Sequence, residues 1–458
     1  MIRNGCRRSV ILSGLAISIL GADLQQLLTA YRTAPSDWRL CYQIGLQYVE
    51  LQELNQALSF FAKASAVNPQ FVPARKNQAT VLWFLGRRKE SEQAFLKILP
   101  LAPADPTVHF YLAMASHERK QYVTARSHFS RAGSLASDNP EAIPALVESF
   151  LKSGDTAILP HAIGTLRSSP VSLDQVIRTA EILLDNRKFA HAITLLADLG
   201  PDNAAITALL ARAYDGAGEN DRAYSTYVHA VQLSPSDENY LALSLFAIAH
   251  QNSLLALDFV RKGLAAAPNS PGLLLNEGIL LALSGSRSAA EGSLQHAART
   301  KPGWSDPIIC LGILKLEAGD FTEAALDFRN ASQRDPKDFR GPYLLAVALS
   351  RTGDDASQLV TDSLAVAIRL AESDARPHVL LGQTYLRLGN LELAKRSLEH
   401  ALRLDSTNSA AVYQLGLLYR RLGNQTLATK YMNQFRALKD SEGSQQSELV
   451  QVLKIRRN

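Results

Sequence analysis

Gly216-Ala217-Gly218 is the nearest this chain comes to a phosphate-cradling loop, and it falls short of one. A dinucleotide site needs a third glycine and a strand before the first, and no Gly-x4-Gly-Lys loop occurs elsewhere. Among the ten histidines, His109 and His117 lie eight residues apart on one expected helix without a third ligand, and no His-Glu-x-x-His pattern is present. The three cysteines, Cys6, Cys41 and Cys310, are scattered and odd in number. They make neither a disulfide framework nor a zinc spacing. Carboxylates such as Asp354-Asp355 and Asp440 with Glu442 fall in turns and on solvated faces. Acid–base catalysis needs a desolvated pocket that drives two pKa values apart, and nothing in the sequence locates one. The expectation is therefore a non-enzyme with no metal and no cofactor.

Side chains that could bind must then be sought on whatever elements the chain builds. Its 458 residues, 47% hydrophobic and 20% charged, suit a soluble globular protein with ample core material. Lys and Arg number 48 against 43 Asp and Glu, a net +5 that is mild for this length. Without a continuous Lys/Arg stripe, nucleic-acid binding is not expected.

A repeat organises the chain. Small or medium residues, nine of them directly after a large apolar one, recur at Gly45, Ala79, Ala113, Val147, Ala180, Ala211, Ser244, Gly278, Gly312, Ala346, Gly382 and Gly416, spaced by 31 to 36 residues and most often by 34. Such self-similarity marks an array of helical hairpins. The clearest units read Ile44-Gly45, Tyr48, Ala57, Phe61, Ala64, Pro69 and Leu311-Gly312, Ala324, Phe328, Ala331, Pro336. Leu381-Gly382, Tyr385, Gly389, Ala394, Leu398, Ala401 and Leu415-Gly416, Tyr419, Gly423, Ala428, Met432 follow the same pattern. Over about residues 38 to 440 the chain resembles the tetratricopeptide repeat family. That resemblance implies an all-α fold, a right-handed superhelical solenoid of about twelve antiparallel helix-turn-helix repeats.

Each offset also has a physical role. The small residue in the first helix and the alanine opening the inner stripe of the second let two backbones approach to about 8–10 Å. Tyr48, Tyr214, Tyr385 and Tyr419 fall three residues later on the same face and fill the groove against the next repeat. Glycines from Gly86 to Gly423 stand where first helices must end, and Pro69, Pro103, Pro235, Pro268, Pro302 and Pro336 stop second helices. A lone hairpin cannot bury its stripe, so stability sums over interfaces.

The expected organisation is an N-terminal capping helix at 23–37, a repeat block at 38–139, degenerate repeats at 140–203, a second block at 204–440 and a capping helix with tail at 441–458. In the degenerate stretch Val147 replaces the small residue and Pro144 and Pro160 fall inside expected helices, which predicts a kink. The spacing of 36 before Gly382 predicts a longer turn around Asp354 to Gln358. Residues 1–22 carry Arg3, Arg7 and Arg8 ahead of the apolar run Val10 to Leu20, the order of a signal peptide, with a periplasmic or secreted location as its consequence. The competing reading comes from Leu27, Ala30 and Pro35, which are in phase with Phe61, Ala64 and Pro69. It makes residues 9–20 the first helix of a degenerate repeat in a cytoplasmic protein.

The resemblance also implies where a partner binds: first helices line the concave side, at recurring places in the unit. In the first three units these places hold Arg39, Tyr42, Gln43, Lys76, Asn77, Trp83, Phe84, Phe110, Tyr111 and His117, an aromatic groove. In the last three they hold Arg340, Tyr343, Arg351, Arg376, Gln383, Arg387, Tyr413, Gln414, Arg420 and Arg421, which is aromatic and cationic. From residue 375 onward the net charge is +7, and before it −2. The expected function is a non-catalytic scaffold that holds an extended or helical segment of a partner protein, acidic segments included, in this groove and helps assemble a multiprotein complex. The alternative is a regulatory or substrate-recruiting subunit whose catalytic chain is separate.

Overall fold

The repeat register dictates where the backbone must turn. Seven residues after each of the twelve small or medium packing residues the backbone φ is positive, at eight glycines from Gly86 to Gly423 and at Gln52, Lys120, Arg187 and Gln251. A left-handed residue ends the first helix of a hairpin and sends the chain back along it. Several first helices begin as regularly. The side chains of Asp37, Asp105, Asn203, Ser236, Asp374 and Asn408 accept from the opening N–H groups of the helices that follow them.

The computed structural model describes residues 24–168, 172–199, 202–353 and 357–441, and among them there are helices and no strands. The chain forms two compact units, Met1–Ala223 and Tyr224–Asn458. In the first, α1 (Leu24–Thr33) precedes the hairpins α2 (Trp38–Glu50) with α3 (Leu54–Val67), α4 (Val72–Phe84) with α5 (Arg88–Ile98), and α6 (Pro106–Glu118) with α7 (Tyr122–Ala132). Shorter helices follow: α8 (Ser134–Ser137), α9 (Ile143–Lys152), α10 (Leu159–Ser168), α11 (Leu173–Asp185) and α12 (Phe189–Leu196), and then α13 (Ala204–Ala217). The division between units falls within α14 (Asn220–Leu233). The second unit stacks α15 (Asp237–Ala249) with α16 (Ser253–Ala266), α17 (Pro271–Leu283) with α18 (Arg287–Thr300), and α19 (Asp306–Glu317) with α20 (Phe321–Arg334). It ends with α21 (Arg340–Leu349) and α22 (Ser357–Leu370), α23 (Ala375–Arg387) and α24 (Leu391–Leu404), and α25 (Ser409–Arg421) and α26 (Gln425–Ser441).

What holds a hairpin closed is a small residue, glycine or alanine, against a large side chain. Phe61, Phe95, Phe129 and Phe328 are among the largest fully buried side chains, and each sits sixteen residues after a small packing residue. Burying one such ring contributes on the order of 2–3 kcal/mol. A Cβ added at Gly45 would lie 2.6 Å from the Phe61 ring, and one at Gly382 would lie 2.5 Å from Cγ of Leu398. At these two glycines a larger residue forces the facing side chain or its helix aside.

Pro144 and Pro160 each stand second in their helices, α9 and α10, rather than inside them. There the missing N–H has no intrahelical partner to lose. Gly133, with φ of 57°, joins α7 to the one-turn α8. The segment read as signal peptide or repeat helix, most of the expected C-terminal cap, and residues 354–356 of the longer turn lie outside the described residues.

Candidate binding cavity

The C-terminal repeats enclose a concave cavity of about 930 Å³ on the side of their first helices. Tyr343 and Arg351 reach it from α21 and its end, Arg376, Gln383 and Arg387 from α23, and Gln414, Arg420 and Arg421 from α25. Eight of the residues selected by the repeat places are thus brought together. The turn before α25 adds Asp405, Thr407 and Asn408, and the first residue of α25 adds Ser409, for which the repeat places held no signal.

The wall is cationic. Five arginines face a single carboxylate, Asp405, which is already engaged. It accepts from the Thr407 hydroxyl at 2.8 Å, the Thr407 N–H at 3.0 Å and the Asn408 amide at 3.2 Å. Burial pushes its pKa up, but these donors outweigh burial and hold the carboxyl below the ordinary value, so it stays ionised near neutrality. Arg376 grips Asp374 with Nη2 at 2.6 Å while its guanidinium lies 5.5 Å from the Tyr343 ring centre. Arg387 Nη1 donates to the Ser350 carbonyl at 3.0 Å, and Arg421 Nη1 donates to that of Leu386 at 2.5 Å. Arg351 and Arg420 are exposed and form no ion pair with any described residue.

Arg340 and Tyr413 depart from the expected groove. Arg340 is spent on Asp306, one repeat earlier, and on Asp338, each at 2.6 Å. Burial opposes its charge, yet the two carboxylates outweigh burial and raise its pKa. Trp304 donates to the other oxygen of Asp306 at 3.0 Å, so the group is an inter-repeat staple. Tyr413 packs on Phe435 of α26 with ring centres 5.0 Å apart and is not part of the cavity wall.

In the first unit the expected aromatic groove is largely interior. Asn77, Trp83, Phe110 and Tyr111 are buried, and Phe84 is half-buried against the core. Tyr111 stacks on Phe95 at 5.0 Å, and the Arg88 guanidinium covers the Trp83 ring at 3.8 Å. Asn77 donates to the Tyr42 hydroxyl at 3.2 Å, while Lys76 pairs with Asp105 at 2.8 Å. His117 is tied to Glu148 at 2.9 Å. Large rings at these places gain more from packing between helices than from facing water, so they fill the layer instead of lining an opening.

Comparison with known proteins agrees with the register. Two tetratricopeptide repeat models match, one over residues 39–71 and 375–408 and the other over 76–140 and 311–375. The chain belongs to the tetratricopeptide repeat family. The CTR9 homolog of Arabidopsis thaliana is 23% identical to this repeat protein over 291 residues, 60% of the chain and 26% of the relative. The chain thus spans about a quarter of that relative's length. Of solved structures, the APC/C hetero-tetramer Cut9-Hcn1 aligns with 94% of this chain and 92% of its own, at 15% identity and a TM-score of 0.43. Yeast Tom70 aligns with 91% of this chain and 94% of its own, at 16% identity and a TM-score of 0.43. Among the described residues no group of three or more His, Cys, Asp or Glu is placed to hold a metal ion. None of their helices is long and apolar enough to cross a membrane.

Proposed function

We propose that this tetratricopeptide-repeat chain is a non-catalytic scaffold that holds a segment of a partner protein in the concave cavity of its C-terminal repeats and so helps assemble a multiprotein complex. The observation that carries this reading is the cavity itself, walled by five arginines from three successive repeats against one satisfied carboxylate. Such a wall favours an acidic segment: guanidinium forks bind carboxylates bidentately, and a positive concavity speeds their capture. Tyr343, Gln383 and Gln414 supply a ring face and amides between the charges. The residues of the first unit's expected groove act in this reading mainly as core and staples.

The test identifies the partner by crosslinking in cells and mass spectrometry, then measures its affinity for the purified chain. Arg387→Glu with Arg420→Glu is expected to weaken binding by about tenfold or more and to flatten its salt dependence. Unchanged affinity and unchanged salt dependence contradict the proposal. The cellular compartment enters the same proposal through residues 1–22: a mature chain beginning near Asp23 places the scaffold in the periplasm or outside the cell, and N-terminal sequencing decides it.

A further inference from the structure

The charge of the cavity wall is fixed across the range in which a histidine titrates, about pH 5 to 8. Its charged residues are five arginines and Asp405. Arginine keeps its proton throughout, and three donors hold Asp405 ionised. What can respond to pH lies on another side of α23. His378 and His400 are the only histidines of the chain beyond His296. They meet where α23 faces α24, with ring centres 4.3 Å apart. Arg376, Val379, Leu380, Gln383 and Arg387 of α23 line the cavity, so His378 belongs to a wall helix without being part of the wall. The pair is arranged to hold one proton or none. His400 Nδ1 lies 3.1 Å from Arg403 Nη2, and because a guanidinium only donates, this nitrogen accepts and His400 is neutral. Two imidazoles in contact resist a double charge, so they titrate as a pair. Burial, then His400 and Arg403, oppose a charge on His378, while Asp374 at the head of α23 favours one. Burial opposes the charge of Asp374 in turn, but its bonds from Arg376 outweigh that and keep it ionised. Helices α22 and α25 also pack on α23. Their charged residues, Asp362 and Arg369 in one and Arg420 and Arg421 in the other, are not among the groups acting on His378.

We infer that the His378 and His400 pair is a pH sensor for the cavity: an anionic segment bound on the wall draws a proton onto the pair, and its affinity rises as the medium is acidified. The inference rests on the scaffold reading and adds to it the regulation of the same site. A proton on the pair adds one positive charge to a region whose other charges, on the wall and at Asp374, do not change. A helix with its side chains is about 10–12 Å across, so a ligand anion and that proton stand on the order of 10 Å apart on opposite sides of α23. At an effective dielectric between about 20 and 80, attraction over that distance changes affinity by about two- to fifteenfold. By linkage the bound anion raises the proton affinity of the pair by the same factor. The added affinity is therefore full where the free pair is already protonated, and it is lost as pH rises past the point at which the complex releases its proton.

The test uses the full chain and a rhodamine-labelled peptide of alternating cysteic acid and glycine, whose sulfonates keep their charge throughout the range, in fluorescence anisotropy at constant ionic strength. Affinity at about pH 5.5 is expected to exceed that at about pH 7.5 by about threefold or more. His378→Gln with His400→Gln removes the titrating groups from behind the wall. In that variant the affinity at the higher pH is expected to stay and the rise on acidification to disappear, with far-ultraviolet circular dichroism at both pH values checking that each protein is folded. Calorimetric titration of the unaltered chain at about pH 6, in two buffers of different ionisation enthalpy, reads the proton without any substitution, and net uptake on binding is expected. An affinity that is flat in pH, a rise that survives in the double variant, or binding without proton uptake each overturns the sensor. A peptide that binds at neither pH removes the cationic cavity and the sensor with it. Binding that Arg387→Glu with Arg420→Glu weakens, but that is flat in pH, removes the sensor and leaves the scaffold standing.

Discussion

The Cβ that Gly312 lacks would stand 2.6 Å from Cε1 of Phe328, a separation that no folded side chain sustains. Gly45 meets Phe61 at the same 2.6 Å, so one close approach closes hairpins in both units. Gly312→Ala is expected to cost about 1–3 kcal/mol through overpacking, read as a lower urea midpoint. Gly292, in the open part of α18, has nothing within 4 Å of its missing Cβ. Gly292→Ala should gain about 0.5–1 kcal/mol from helix propensity, and the opposite signs of the two changes are the check.

The left-handed turn positions carry a second prediction. Lys120 holds a φ of 59° where eight other repeats use glycine. Lys120→Gly should stabilise the first unit by about 1 kcal/mol by removing Cβ strain, whereas Gly319→Ala, at a φ of 84°, should destabilise the second by a similar amount. Thermal unfolding of the two variants measures both.

Repeat packing also creates a pH dependence. His109 Nε2 lies 2.9 Å from the Pro103 carbonyl and must donate to it, so its Nδ1 accepts from His128 Nδ1 at 2.8 Å. Burial, then His109 and Arg131, hold the His128 pKa below 6.5. His378 is likewise lowered by burial and by His400 and Arg403, its ring 4.3 Å from that of His400. The unfolded chain therefore binds more protons than the folded one in the window beneath 6.5. Stability is full above that value and falls as pH drops through it toward the lowered folded values. His128→Gln with His378→Gln should flatten this slope in urea titrations at pH 5 to 7; an unchanged slope would remove the histidines from the account.

Arg340 belongs to stability and not to the cavity. Arg340→Ala removes the cation that pairs with Asp306 and Asp338, both largely buried, and should cost about 3 kcal/mol. Partner binding measured below the unfolding transition should keep its salt dependence, because the removed charge never faced the ligand.

These residues also show what the sequence could and could not carry. The hairpins were legible because each role recurs in one dimension: a small residue, a left-handed turn seven on, a large ring sixteen on. The cationic wall was partly legible for the same reason, since Arg351, Arg387 and Arg421 repeat in register. Arg340 was not, because its partner Asp306 lies 34 residues away and only the stacking of repeats brings them together. Trp83, Phe110 and Tyr111 occupy the same nominal places as groove residues, but ring size turns them inward against Phe95 and neighbouring helices. The contribution of Thr407 and Asn408 depends on how the turn before α25 folds over the cavity, which helix periodicity does not encode.

The most direct measurement places a photo-crosslinking amino acid at Gln414 on the cavity wall and, separately, at exposed Arg396 on α24, which is not part of that wall, in the full chain inside its own cells. The account predicts a discrete adduct with one partner protein at Gln414 that disappears when Arg387→Glu and Arg420→Glu are added, and none at Arg396. The same adduct at Arg396 with none at Gln414 would contradict it.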